Sequence, residues 1–316
     1  MTEEAPPAAP EPSADPSDPA VGPPAPPPAR RPRRPSRARW IIAGGAVLVV
    51  VAVVAVLVVV FSGRDSARRQ VVLPFVGLDQ PYAVAVDATG AVYVADYKND
   101  RVVKLPAGSG TANSLPIEDI RHPNAVAVDK AGALYVTGEG REPVVQLRAG
   151  STSPDVLETT DIGQASAVAV DAAGAVYVAD YENNNVLKLA GEPGTQTVLT
   201  FTHLNEPAAL AVDTGGAVYV ADRTRVVRLP AGSSAETVLP LTGLNDPEGL
   251  AVDGAGALYI ADTRNNRVLM LAAGSSGQIE LPFAGLNHPS GVAVDRSGVV
   301  YVTDRGNNRV LKLPPR

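Results

Sequence analysis

Six polar residues recur at one point of a repeating pattern. Gln80, His122, Gln164, Glu206, Asp246 and His288 each stand just ahead of a run such as PYAVAVD or PSGVAVD. Amides, imidazoles and carboxylates brought to one place bind ligands by hydrogen bonding and charge. Two positions further on come Tyr82, Asn124, Ser166, Ala208, Glu248 and Ser290. His122 and His288 with Glu206 or Asp246 could also make a mixed nitrogen and oxygen metal site. Against that, the chain has three histidines in all, and the third, His203, lies three positions before the ring position of its repeat. No metal and no cofactor is therefore expected.

A second set of carboxylates repeats too faithfully to be catalytic. Asp87, Asp129, Asp171, Asp213, Asp253 and Asp295 would be six copies of one site, which no enzyme needs. They read as turn-closing groups, as do Asp96, Asp180, Asp222, Asp262 and Asp304, with Arg101, Arg225, Arg267 and Arg309 reaching back to them. There is no G-x-S-x-G elbow, H-E-x-x-H pair, P-loop or EF-hand loop. The absence of cysteine excludes disulfides, thiolate catalysis and Cys-ligated zinc.

The elements that position these residues follow from the repeat itself. The AVD aspartates are spaced 42, 42, 42, 40 and 42, and Tyr93, Tyr135, Tyr177, Tyr219, Tyr259 and Tyr301 keep the same spacing. Each repeat holds four short β-type runs; in the fifth they are EGLAVD, ALYIAD, RVLML and QIELPF, separated by D-x-x-G and D-x-x-N-N-R turns. A four-stranded unit of this length is a propeller blade. The runs alternate little, as strands buried on both faces should. The small residues of AVAVD place that strand innermost and put the VLPF run outermost. The sixth repeat supplies three strands, so residues 71–75, VVLPF, are expected to complete it and close a ring of six blades.

These residues also carry a family signature. LPFAGLNHPSGVAVDRSGVVYVTDRGNNRVLKL resembles an NHL repeat. The run of repeats over 71–316 is similar to the extracellular sensor propellers of mycobacterial receptor serine/threonine kinases. That resemblance implies an all-β, six-bladed propeller on a single spanning helix, outside the cell, with a ligand-sensing role. Some other six-bladed propellers, lactonase-like hydrolases among them, hold metals at the channel mouth. A kinase domain precedes the helix in the receptor kinases, whereas the 40 residues ahead of the span here contain no Gly-rich loop, HRD or DFG. Gly138 replaces the Asp of YVAD and Ala165 stands where Pro is usual, so the second blade is expected to be the most irregular.

Outside the repeats, residues 1–39 hold 13 prolines and end in six arginines, reading as a disordered cytoplasmic tail. Residues 41–61 are uncharged, 15 of the 21 being Ile, Val, Leu or Phe. As a helix they would span about 31 Å, the thickness of the hydrocarbon core. With Trp40 at its edge this predicts a signal anchor over 40–61, a linker over 62–70 and the propeller outside. Residues 71–316 carry 27 acids and 18 bases, the wrong sign for nucleic acid. The expectation is a membrane-anchored extracytoplasmic module binding a protein, a cell-envelope component or a small molecule, rather than an enzyme. The alternative is a propeller hydrolase or lyase acting at the channel mouth.

Overall fold

The computed structural model describes residues 70–117, 120–189 and 195–315. The Pro-rich tail, the apolar run over 40–61 and most of the linker lie outside the described residues. Among those that are described, no helix is long and apolar enough to cross a membrane.

Six four-stranded antiparallel sheets make six blades. The first blade runs through Pro81–Val86, Val92–Asp96, Arg101–Leu105 and Asn113–Ser114. The sixth runs through Pro289–Val294, Val300–Asp304 and Arg309–Leu313, and its outer strand is Val71–Val72. Val71 pairs with Lys312 and Val72 with Leu311. The two ends of the described chain therefore meet in one sheet and the ring is closed. The Gln70 side chain adds a clasp to the neighbouring loop: its amide donates to the Ala284 carbonyl at 2.9 Å and accepts from the Ala284 N–H at 2.8 Å.

Why six units are needed is visible in the packing. The second strand of every blade is buried along its whole length. At its centre Val94, Val136, Val178, Val220, Ile260 and Val302 have no solvent exposure. The apolar core falls into six clusters, each shared between adjacent blades. One, for example, joins Tyr93, Ala95 and Val102 of the first blade to Leu134, Val136 and Val145 of the second. Another joins Leu73, Val94 and Val103 to Ala293, Tyr301 and Val310 across the closure. A lone blade would leave both faces wet, and burial of apolar area at about 25 cal/mol per Å2 is available only from neighbours.

The outer strands correct the sequence expectation in one respect. They are two or three residues long and lie upstream of the Leu-Pro-Phe run, not along it. The Leu N–H still reaches the third strand, as in Leu73 to Val310 and Leu281 to Val268. The chain then bends through a three-residue turn in which Phe75 N–H bonds the Leu73 carbonyl, and Phe283 the Leu281 carbonyl. Pro74 and Pro282 sit at the centre of these γ-turns, where a fixed φ and a missing N–H do no harm. Leu73 and Leu281 are buried between blades, so the apolar run is core filling rather than strand.

The second blade is the odd one. Where other blades place a buried Asp at the end of the second strand, Gly138 leaves a space that Ile120, almost fully buried, fills. A Cβ at Gly138 would lie 2.5 Å from the Arg121 carbonyl and 2.7 Å from Ile120 Cγ2.

Candidate functional site

The loops that enter the inner strands and the turns joining second to third strands share one face of the ring. Their backbone is held by a device repeated around that face. Gln80, His122, Glu206, Asp246 and His288 all have positive φ, between 44 and 55°. Such a conformation is uncommon outside glycine and needs support. The support comes from the preceding blade: the Gln80, His122, Glu206 and His288 N–H groups donate to the side chains of Asn308, Asp100, Asn184 and Asn266 at 2.6–2.9 Å. In the shortened turn the Arg223 carbonyl takes this role for Asp246. Gln164, which follows the irregular second blade, has no such partner and is not among the positive-φ residues; its N–H lies 3.3 Å from Asp180 Oδ1.

The faithful carboxylates are structural. Asp96, Asp262 and Asp304 are fully buried, and each accepts from a loop N–H, an Asn side chain and an Arg Nε at 2.6–2.8 Å. At the opposite face Asp87 closes its turn on the Thr89 and Ala91 N–H groups and accepts from the Tyr93 hydroxyl at 3.0 Å. Burial works against its charge, but a hydrogen bond from the Thr89 hydroxyl at 2.6 Å, with those from Ala91, Tyr93 and the Thr89 N–H, prevails and holds the carboxyl below its ordinary range.

The second predicted ring lies where the inner strands begin. In five of the six blades the register slips here, so the side chains project from β-bulges. Three of them tie inner strands together. Asn124 donates to the Ala165 carbonyl at 2.9 Å, Ser166 to Pro207 at 2.5 Å and Ser290 to Tyr82 at 2.7 Å. Ala208 adds no polar group. Tyr82 and Glu248 are different. Glu248, with its side chain 12% exposed, lies 3.2 Å from Arg305 Nη1. Its Oε2 is buried and receives no hydrogen bond, so the contact with Arg305 is an ion pair without donor alignment. Burial raises the Glu248 pKa, with Arg305 opposing. Burial and the Glu248 charge push the Tyr82 hydroxyl far above its ordinary range.

From this pair a continuous cluster runs across four blades. The Arg305 guanidinium lies 5.0 Å over the Tyr82 ring. Tyr82 and Tyr97 have centroids 5.7 Å apart, and Tyr97 stacks on His122 at 4.8 Å. Glu139 accepts from the Tyr97 hydroxyl and lies 3.4 Å from His122 Nδ1. Burial, then that carboxylate, pushes the Tyr97 hydroxyl up to about 12. A second group sits on the third and fourth blades, where Tyr181 and Arg223 hold the Glu206 carboxyl below its ordinary range. On the fifth, Arg264 pairs with Asp246 at 2.9 Å. His288 is exposed and its Nδ1 contacts only Asn287, at 2.8 Å.

Tyr97, Glu139, Tyr181, Arg223 and Arg305 escaped the sequence reading. All occupy the residue after the Y-h-x-D run, or after YVTG in the second blade, and that position varies between repeats as the predicted ring does. Among the described residues no three His, Cys, Asp or Glu come together as a metal would require. His122 and His288 each keep to their own sector. Beneath the mouth, the inner strands of all six blades line a cavity of about 60 Å3 in which Glu248 is the one ionisable residue.

The NHL repeat signature matches residues 244–269 and 286–313. Those residues lie in the fifth and sixth blades. No curated protein sequence matches the chain. Among solved structures, the propeller is similar to a nidogen in complex with laminin, at 19% identity and TM-score 0.62 over 67% of this chain and 84% of that one. It is similar to a gluconolactonase from Xanthomonas campestris at 15% identity and TM-score 0.66, over 78% and 89% of the two chains. A streptogramin B lyase matches at 12% identity and TM-score 0.58 over 79% and 98%. At such identities the likeness shows a shared fold.

Proposed function

We propose that the chain is a membrane-anchored extracytoplasmic propeller that binds a ligand or a partner protein at the face carrying Gln80, His122, Glu206, Asp246 and Glu248. One observation carries this reading. Side chains whose identities differ from repeat to repeat (Glu248, Arg305, Tyr82, Tyr97, His122 and Glu139) form one connected polar and aromatic cluster, while the residues that close turns repeat almost unchanged. A scaffold alone has no use for that variety; a rigid ring presenting unlike groups at fixed spacing is a recognition surface. The motif likeness to receptor-kinase sensors and the uncharged run over 41–61 support the anchored, outward-facing placement. The nidogen likeness gives a precedent for a propeller in a protein complex.

A thermal-shift screen of peptides, glycans and small metabolites against the protein tests the reading. A hit whose shift is lost in Tyr97→Ala and His122→Ala supports it; hits indifferent to both substitutions, or no hit together with no protein recovered by affinity capture, sink it. A second reading rests on Glu248. A buried carboxyl raised in pKa beside a tyrosine suits proton transfer, and the lactonase and lyase likenesses show the fold hosting enzymes. It predicts turnover that Glu248→Gln abolishes while leaving binding in place.

A further inference from the structure

We propose that the recess bounded by Glu248, Tyr82 and Arg305 receives a primary ammonium group, and that Arg305 occupies its place until one arrives. The inference rests on the ligand-binding reading above and names the chemistry of the ligand at that site. Its starting point is a deficit. Asp262 on this face receives three donors over its two oxygens, whereas Glu248 has only the Tyr82 hydroxyl hydrogen-bonded to its carboxyl and an Oε2 that is buried and receives none. A buried carboxylate short of donors is costly, and the deficit is removed when a donor-bearing group supplies them.

The neighbours decide which group. Arg305 reaches Glu248 from the adjacent blade at 3.2 Å without donor alignment, its guanidinium lying instead over the Tyr82 ring at 5.0 Å. A planar fork that must satisfy both a ring face and a carboxylate has no freedom to turn its N–H groups into line. An ammonium is compact, carries three rotatable donors and is attracted to the same ring face. The nearby Asp246 is engaged by Arg264 at 2.9 Å. The cavity under the mouth, about 60 Å3 and lined by Glu248, has room for an ammonium and its water. An anionic ligand would have to displace a carboxylate from Arg305 or Arg264 first. Two sources could present the ammonium: an amino sugar or a lysine side chain.

The test is calorimetric titration of the full chain in detergent with glucosamine and with Nα-acetyl-lysine amide. N-acetylglucosamine and the doubly acetylated lysine amide serve as neutral counterparts. Binding of either amine and of neither counterpart is expected, and which amine binds identifies the source. Glu248→Gln should weaken that binding about tenfold or more, the loss of a charge-assisted hydrogen bond. Arg305→Ala should tighten it roughly threefold or more, because the occluding residue is gone. These opposite signs are the signature; weakening by Arg305→Ala, or equal binding of the acetylated probes, overturns the proposal. Should either variant fail to fold, the unsubstituted protein still reports. Its Glu248 carboxyl, followed by carbon NMR, must titrate at lower pH with the amine present than without it, and an unmoved titration refutes the assignment. Failure of both amines beside a screening hit that depends on Tyr97 would refute the ammonium while leaving the recognition surface standing.

Discussion

Glu248 and Asp262 are both buried carboxylates on the same face, and their surroundings separate their roles. Asp262 accepts from the Asn245 N–H, the Asn265 amide and Arg267 Nε, and so fixes a loop, a turn and a strand at once. Asp262→Ala should destabilise the protein by about 2–4 kcal/mol in urea melts, since it strands three donors. Arg267→Ala should cost less, because the carboxylate keeps its other two. Glu248 behaves oppositely. Its pKa is raised above the ordinary 4.5, chiefly by burial, so the folded state holds a proton that the unfolded chain has released. Stability from this group is full below that value and is lost as pH climbs through the raised one. Glu248→Gln should therefore flatten the fall in melting temperature between about pH 4.5 and neutrality, which differential scanning calorimetry across that range will show. Glu248 was legible in the sequence as a member of a variable ring. Arg305 and Tyr97 are visible only as variable turn residues, because the fold, not the repeat spacing, brings that turn to face the inner-strand loops.

At the scale of the element, the repeat makes most of the fold readable: inner strands rich in Ala and Gly, second strands apolar up to a closing Asp, turns set by Asp and Gly. The inner position has a steric meaning. A Cβ at Gly291 would lie 2.9 Å from both the Ala83 Cα and the Tyr82 carbonyl. What misled was the Leu-Pro-Phe run, whose apolar character was assigned to an outer strand although its proline cannot donate to a ladder. Its leucine is core and its bend is a γ-turn, a distinction that depends on contacts with the next blade. The second blade was expected to be irregular from Gly138, but how the gap is filled, by Ile120, could not be seen in the sequence. Gly138→Ala should destabilise by about 1–3 kcal/mol despite moving toward a better strand former, because its Cβ has nowhere to go. Chemical denaturation measures this directly. If the variant is as stable as the parent, Ile120 yields more readily than its packing implies.

For the whole molecule the decisive feature is closure through Val71–Val72. One of the six shared cores depends on it directly, since an open ring would expose the cluster that joins Val94 and Leu73 to Tyr301 and Val310. The chain has no cysteine, so a pair introduced as Val71→Cys with Lys312→Cys, opposite one another in the ladder, is the only thiol pair present. The oxidised form should be more stable than the reduced by about 2–4 kcal/mol, as expected for closing a very long loop. Equal melting of the two forms would mean that opening at the closure does not limit unfolding.

That same closure makes the molecule a fuse. A tether pulling on the chain ahead of Gln70 would load one short ladder, a leucine amide and a glutamine clasp in shear, while every other blade stays continuous with its neighbours through the backbone. Traction would release the lead strand first and bare the flank of the sixth blade at a defined place.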